Sequence, residues 1–240
     1  MIVSLILYGS RARGDHRLVS DVDLIGITDG GVASREAPAR GTNLHLYPFQ
    51  RMVENARNGD LFVLHIVSEG KPLHDTLGVF KQAQEAFVYR DNYSNTIEAA
   101  TAVALFLLSS KTALSKAAGR RRLVWAIRTL IIAKAAEGKQ PIFSANRLEE
   151  FAHVAGLKRL INKRNTLPIT VFEDVGLRVL EAFGSSKIRD LWPVGKLAQR
   201  EFVEAFGKIG KSTAVLSLIR FNIRRPKERP SESDPDLVYS

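Results

Sequence analysis

The stretch that most constrains this fold is the N-terminal one. An apolar run of strand length, Ile2 to Tyr8, ends at Gly9-Ser10-Arg11-Ala12-Arg13-Gly14-Asp15; after a short spacer a second apolar run carries Ser20-Asp21-Val22-Asp23-Leu24-Ile25. Side chains i and i+2 of a strand share a face, so Asp21 and Asp23 project together while Val22 and Leu24 point to the other, apolar side. Magnesium prefers oxygen ligands and takes one or two carboxylates alongside substrate phosphates, so this pair suffices for a metal–nucleotide complex. Gly9 lets the chain turn sharply and lets a phosphate approach the backbone without a Cβ in the way. Ser10 adds a hydroxyl and an N–H, and a short helix starting there would aim its N-terminal amides at an anion. Arg11 and Arg13 stand beside the same site in sequence.

Gly9-Ser10, a spacer, then Asp21-Val22-Asp23 between apolar residues resembles the signature of the DNA polymerase beta-like nucleotidyltransferase superfamily. The Gly-Ser-Arg-Ala-Arg-Gly version is similar to that of its small minimal nucleotidyltransferases. The resemblance implies that Gly9 and Ser10 hold a nucleoside triphosphate, with Arg11 and Arg13 beside it, and that Asp21 and Asp23 bind two divalent ions, Mg2+ or Mn2+. An acceptor hydroxyl then attacks the α-phosphate and pyrophosphate leaves. The resemblance also implies a third acidic residue on a neighbouring strand, which binds the metal that activates the acceptor.

The next strand candidate, Thr42 to Tyr47, places Asn43, His45 and Tyr47 on one face and Leu44 and Leu46 on the other, and offers no Asp or Glu. His45 or Asn43 is the candidate for the third position. A neutral His can serve as a base but is a poorer magnesium ligand than a carboxylate. Superfamily members usually have a helix before the Gly-Ser strand, and only Met1 to Tyr8 precede Gly9 here. A lost helix would expose one flank of the sheet to be covered by a partner or by the helical part of the chain, and a misplaced start codon is an equally ordinary explanation. A partner protein or a homo-oligomer is among the expected partners.

The expected class is α+β: a nucleotidyltransferase mixed sheet with flanking helices over residues 1–90, then an all-α bundle over 91–225 and a disordered or loosely packed tail over 226–240. Asp29 to Gly41 reads as a loop. Leu61 to Val67 is apolar throughout, which leaves strand and helix open by periodicity; the resemblance favours a helix, followed by Glu69-Gly70-Lys71 and a short strand at Leu73 to Asp75. Leu77 to Tyr89 closes the unit as a helix or connector. From Ser94 the period becomes helical: a helix to about Ala118 stopped by Gly119, a second opening on Arg120-Arg121-Arg122, a third capped by Ser144 over Ala145 to Val154, then Glu173 to Phe183, Lys196 to Phe206 and Thr213 to Ile223. The tail, rich in Pro, Ser and alternating charge, lacks the apolar residues to pack. There is no internal repeat.

Charge divides the chain in the same place. Residues 1–90 carry 10 Lys and Arg against 10 Asp and Glu, whereas residues 91–240 carry 25 against 15, so the whole net charge of +10 lies in the second part. Clustered cations attract phosphates without regard to sequence, which makes RNA the first partner to consider. Arg120, Arg121, Arg122 and Arg128 are the acceptor-binding candidates. No cysteine occurs, which excludes disulfides, thiolate zinc sites and a cysteine nucleophile and is compatible with a reducing cytoplasm. The five histidines show no metal-ligand spacing, and no apolar run reaches a membrane span.

The leading expectation is a metal-dependent nucleotidyltransferase acting on a hydroxyl of RNA, such as a tRNA end, or of a protein, in a toxin–antitoxin or defence setting. A cationic aminoglycoside ranks last as acceptor for so basic a chain. The alternative is a catalytically impaired nucleotide-binding module, or an RNA- or protein-binding module, that lacks the third carboxylate.

Overall fold

The computed structural model describes residues 1–190 apart from Val19 and Val32. The protein is α+β, and it divides into two compact units, Met1–Asp91 and a second that begins at Asn92. The expected helices at Lys196 to Phe206 and Thr213 to Ile223, and the expected tail, lie outside the described residues.

In the first unit, β1 (Ile2–Tyr8) and β2 (Val22–Thr28) pair antiparallel, with Ile6 opposite Ile25 and Tyr8 opposite Asp23. β3 (Ser34–Ala39) pairs antiparallel with β4 (Thr42–Pro48), and β4 runs parallel to β2, setting Asp23 beside Asn43 and Ile25 beside His45. β5 (Lys71–His74) joins β1 antiparallel, which completes a mixed sheet of order β3-β4-β2-β1-β5. The helices of this unit are α1 (Gly9–Arg13), α2 (Phe49–Arg57), α3 (Leu61–Glu69) and α4 (Val79–Ala86). β3 corrects the loop expected over Asp29 to Gly41. Its sequence has little strand propensity, and pairing with β4 overrides that. The register shift between Glu36 and Ala39 accommodates Pro38 on this edge strand.

Alternation decides where the core sits. Ile6 and Tyr8 from β1, Ile25 and Ile27 from β2 and Tyr47 from β4 pack against Met52 and Ala56 of α2, Val63 and Ile66 of α3, and Val79, Phe80 and Ala83 of α4. Each fully buried Ile there contributes about 1.5–3 kcal/mol. Asp23 lies on this helix-covered face, at the end of β2 just beyond the core. The opposite face carries Leu5, Leu7, Leu24, Leu44 and Leu46, all only half-buried. The apolar run of 61–67 is settled as α3, because Asp60 caps it by accepting from the Val63 N–H at 2.9 Å. Burial pushes the Asp60 carboxyl up to about 6, only partly offset by that N–H and by Arg90.

The second unit contains α5 (Ser94–Leu108), α6 (Lys111–Ser115), α7 (Ala117–Glu137), α8 (Ala145–Ala152), α9 (Leu157–Asn162), α10 (Ile169–Phe183) and α11 (Ser186–Asp190). α5 and α7 are buried around most of their circumference, α7 through Leu123, Ile127, Leu130 and Ile131 among others. Two expectations are corrected here. The first helix stops at Leu108, and Ser110 caps the separate α6 by accepting from the Ala113 N–H at 3.2 Å. Gly119 does not end a helix; it lies inside α7, where a Cβ would stand 2.1 Å from the Ala113 carbonyl oxygen. The glycine is there to let α6 and α7 touch backbone to backbone. Ser144 caps α8 as expected, accepting from the Arg147 N–H at 3.3 Å, while α10 begins earlier than Glu173, at Ile169.

Candidate nucleotide and metal site

The end of β1 and the start of β2 meet at Gly9 and Asp23. Gly9 has φ +73°, a left-handed conformation that L side chains avoid, and a Cβ on it would stand 3.2 Å from Asp23 Oδ2. The chain therefore turns into α1 with its bare backbone against a carboxylate. α1 is a single short turn, closed by Gly14 and Asp15 N–H groups that both donate to the Ser10 carbonyl.

The other oxygen of Asp23 is held from the neighbouring strand: Asn43 Nδ2 donates to Asp23 Oδ1 at 2.9 Å. Asn43, one of the two candidates for the third position, is thus on the neighbouring strand and in register with Asp23. His45 is placed deeper on the same face. It is buried, and its ring packs against Tyr8 at 6.3 Å and Phe62 at 6.0 Å. Of the two candidates, Asn43 bonds Asp23, and His45 is buried among Tyr8 and Phe62.

Asp21 precedes β2 and is exposed. Its setting is fixed through the backbone: the Val22 N–H donates to the Gly41 carbonyl at 2.7 Å, and a Cβ on Gly41 would stand 3.7 Å from Asp21 Oδ1. Arg11 braces the same turn, donating from Nη2 to the Ser20 carbonyl at 2.9 Å and from Nε to the Asp21 carbonyl at 3.3 Å. Its guanidinium holds the carboxylate-bearing loop against α1.

Arg13 is also engaged internally. Its Nη1 donates to Glu69 Oε2 at 2.6 Å and its Nε to Asp15 at 3.2 Å. His65 Nε2 stands 2.9 Å from the same Glu69 oxygen, and the His65 ring lies edge-on to Tyr8 at 5.5 Å. The side chains of Arg13, His65 and Glu69 are 20%, 9% and 15% exposed, so little water screens the cluster. Burial pushes the Glu69 carboxyl up, but His65 and Arg13 outweigh it and hold the group below its ordinary value. Burial likewise acts against the Arg13 charge, and Glu69 and Asp15 outweigh it in turn. Sequence reasoning missed this network. Its one signal was a polar pair, His65 and Glu69, at i and i+4 on an otherwise apolar helix.

Asp21 and Asp23 offer oxygen donors of the kind magnesium takes together with phosphate oxygens, and the missing Cβ at Gly9 lets the Asp23 carboxylate approach the backbone closely. Among the described residues no group of three or more His, Cys, Asp or Glu is placed to hold a metal without such additional ligands.

In the second unit the structure separates the candidate arginines. Arg120 donates to the Leu114 and Leu167 carbonyls at 2.8 and 3.2 Å and lies over the Phe172 ring. Arg128 donates to the Phe143 carbonyl at 3.1 Å. Both tie elements together. Arg122 stacks on Trp125 at 5.5 Å, and Arg121 is exposed. No helix among the described residues is long and apolar enough to cross a membrane. No family model matches the chain, and a search of curated proteins returns no match, so its functional reading rests on these residues and their geometry.

Proposed function

We propose that this chain is a metal-dependent nucleotidyltransferase of the DNA polymerase beta-like type, transferring a nucleoside monophosphate from a triphosphate to an acceptor hydroxyl. The observation that carries the reading is Gly9, in a left-handed turn, set against the carboxylate of Asp23 that Asn43 orients. Gly9 and Ser10 approach the triphosphate with backbone, and Asp21 and Asp23 hold magnesium. When bound, the metal would neutralise phosphate charge and polarise the α-phosphate. The acceptor oxygen forms a bond to the α-phosphorus, the bond to the bridging oxygen breaks, pyrophosphate leaves with that electron pair, and the acceptor proton passes to water. Arg11 and Arg13 act by fixing the turn and α1 rather than as phosphate ligands.

Asn43 supports a second reading, a nucleotide-binding module with slow or no turnover, because an amide occupies the position of the expected third carboxylate. One experiment separates the two. Each α-labelled triphosphate is incubated with the protein, Mg2+ or Mn2+, and either total RNA or cell protein. Transfer that disappears in the Asp21→Ala, Asp23→Ala double variant supports the enzyme. Nucleotide binding without transfer, with transfer gained by Asn43→Asp, supports the impaired module. Transfer that persists in the double variant overturns the site.

A further inference from the structure

The Gly9 turn does not hold its own shape. Gly9, at φ +73°, has no side chain to fix it, and α1 is a single turn, too short to repay with internal hydrogen bonds the dihedrals it freezes. Its geometry comes from what it is tied to, and α3 supplies two of the ties. They come from His65 and Glu69, one helical turn apart on one face of α3. On the strand side of Gly9, the His65 ring meets the Tyr8 ring edge-on at 5.5 Å. On the helix side, Glu69 Oε2 accepts from Arg13 Nη1 at 2.6 Å, while Arg13 Nε donates to Asp15 at 3.2 Å, so one guanidinium joins α1, the residue after its Gly14 cap and α3. His65 Nε2 stands 2.9 Å from the same Glu69 oxygen and links the two ties. The end of α3 is itself seated on the sheet: a Cβ on Gly70, next to Glu69, would stand 2.8 Å from Ile6 Cγ2 on β1.

Glu69 has the wrong sign for a phosphate ligand and is largely buried, as His65 is, so neither suits direct contact with a triphosphate. What they can do is decide where the turn lies. We propose that His65 and Glu69 are positioning residues for the nucleotide: from one face of α3 they set the Gly9–Ser10 backbone, Glu69 acting through Arg13 and His65 through Tyr8. This deepens the nucleotidyl-transfer reading and rests on it in one respect, that Gly9 and Ser10 face a triphosphate.

The test uses the full chain, at a temperature where circular dichroism shows every variant folded, and titrates it with each of the common nucleoside triphosphates carrying a fluorescent ribose label, in Mg2+. Glu69→Ala weakens binding about tenfold, and Glu69→Gln, which keeps an oxygen to accept from Arg13, about threefold. His65→Ala weakens it about threefold. Arg13→Ala loses about as much as Glu69→Ala, and the double variant loses no more than Arg13→Ala alone, since the second change removes only what the first has already released. Val79→Ala, a core truncation on α4 that also destabilises the unit, stays within about twofold of wild type. Where transfer is detected, Glu69→Ala raises KM and changes kcat less than about threefold, because Asp21 and Asp23 are untouched. Without nucleotide, exchange of the Gly14 and Asp15 amides, which donate to the Ser10 carbonyl, speeds up about tenfold in Glu69→Ala.

Four results would overturn the proposal and leave the nucleotide site standing: wild-type affinity in Glu69→Ala, additive losses in the double variant, an equal loss in Val79→Ala, or unaltered exchange at Gly14 and Asp15. Tighter binding by Glu69→Ala would also overturn it, by showing that Glu69 withholds Arg13 from the phosphates. Wild-type protein that binds none of the nucleotides overturns the nucleotide reading and this inference together.

Discussion

Two glycines, one in each unit, do opposite things with the space that a missing Cβ leaves. At Gly119 the space is filled, since the Ala113 carbonyl of α6 occupies it and the packing of two helices depends on it. At Gly9 the space borders a side chain instead, the Asp23 carboxylate 3.2 Å from where a Cβ would stand, in a conformation that costs an ordinary residue about 1 kcal/mol or more. The arginines repeat the contrast. Near Gly9 the Arg11 and Arg13 guanidinium groups are both engaged by internal acceptors, so that in the proposed reading anion binding there falls to backbone and metal. In the helical unit Arg120 and Arg128 are engaged in the same way, while Lys111 and Lys116 are exposed. Space and charge serve function only where the fold has not already used them.

The contrast can be broken first at the carboxylate. Asp23→Ala is expected to lower label transfer about 1,000-fold or more while leaving the helical unit's unfolding unchanged. Equal transfer by the variant would remove Gly9 from any functional role. Next in size is Gly119→Val, whose side chain must displace a backbone carbonyl. It should cost about 3–4 kcal/mol in urea or thermal unfolding of the second unit and leave nucleotide affinity intact. Its counterpart Gly9→Ala should cost only about 1 kcal/mol in stability yet weaken nucleotide binding markedly, measured by fluorescent-nucleotide titration. If the two glycine variants behaved alike, the distinction between the two glycines would fail.

Smaller effects probe the charges. Glu69→Gln leaves Arg13 and His65 without their shared counter-charge and is expected to cost about 2 kcal/mol at neutral pH. Because the folded carboxyl titrates below its ordinary 4.5, the stability it contributes is present above that value and is lost as pH falls through the folded one. The gap between Glu69→Gln and wild type should therefore narrow below about pH 4.5 in acid unfolding. Asp60 has the opposite sign. Its folded value, about 6 against an ordinary 3.8, means that its stability contribution is full below the lower value and is lost as pH rises through the upper one. Asp60→Asn keeps the α3 cap and should raise stability by about 1 kcal/mol at pH 7, with no gain at pH 3.5. A variant less stable than wild type at pH 7 would show that the ionised cap is favourable.

Much of this arrangement was legible along the chain, and the misses have physical causes. Asp23 falls on the face of β2 that period-two alternation gives it, whereas Asp21 precedes the strand, and the apolar run of 61–67, which periodicity left open, is a helix capped by Asp60. β3 was illegible because Ser34 to Ala39 has little intrinsic strand preference and is strand by virtue of β4 beside it. Gly119 was misread because glycine ends helices and also permits close crossings, and only the approach of Ala113 separates the two. His45 and Asn43 share a face and were indistinguishable by alternation; depth along the strand divides them, with Asn43 at the rim beside Asp23 and His45 among Tyr8 and Phe62.

By itself the sequence determined the local features: an α+β order of elements, an Asp pair beside a Gly-Ser turn, and a change to helical period near Ser94. Backbone preference and side-chain periodicity act between neighbours, so a linear reading reaches them. The tertiary structure decided which sheet face the helices cover, that Asn43 binds Asp23, that Arg13 answers to Glu69, and which cations stay in water. Those outcomes depend on pairs far apart in sequence, 20 residues for Asn43 with Asp23 and 56 for Arg13 with Glu69. Each polar group takes its partner from whatever the packed chain brings within hydrogen-bond reach, and no spacing along the sequence states that in advance.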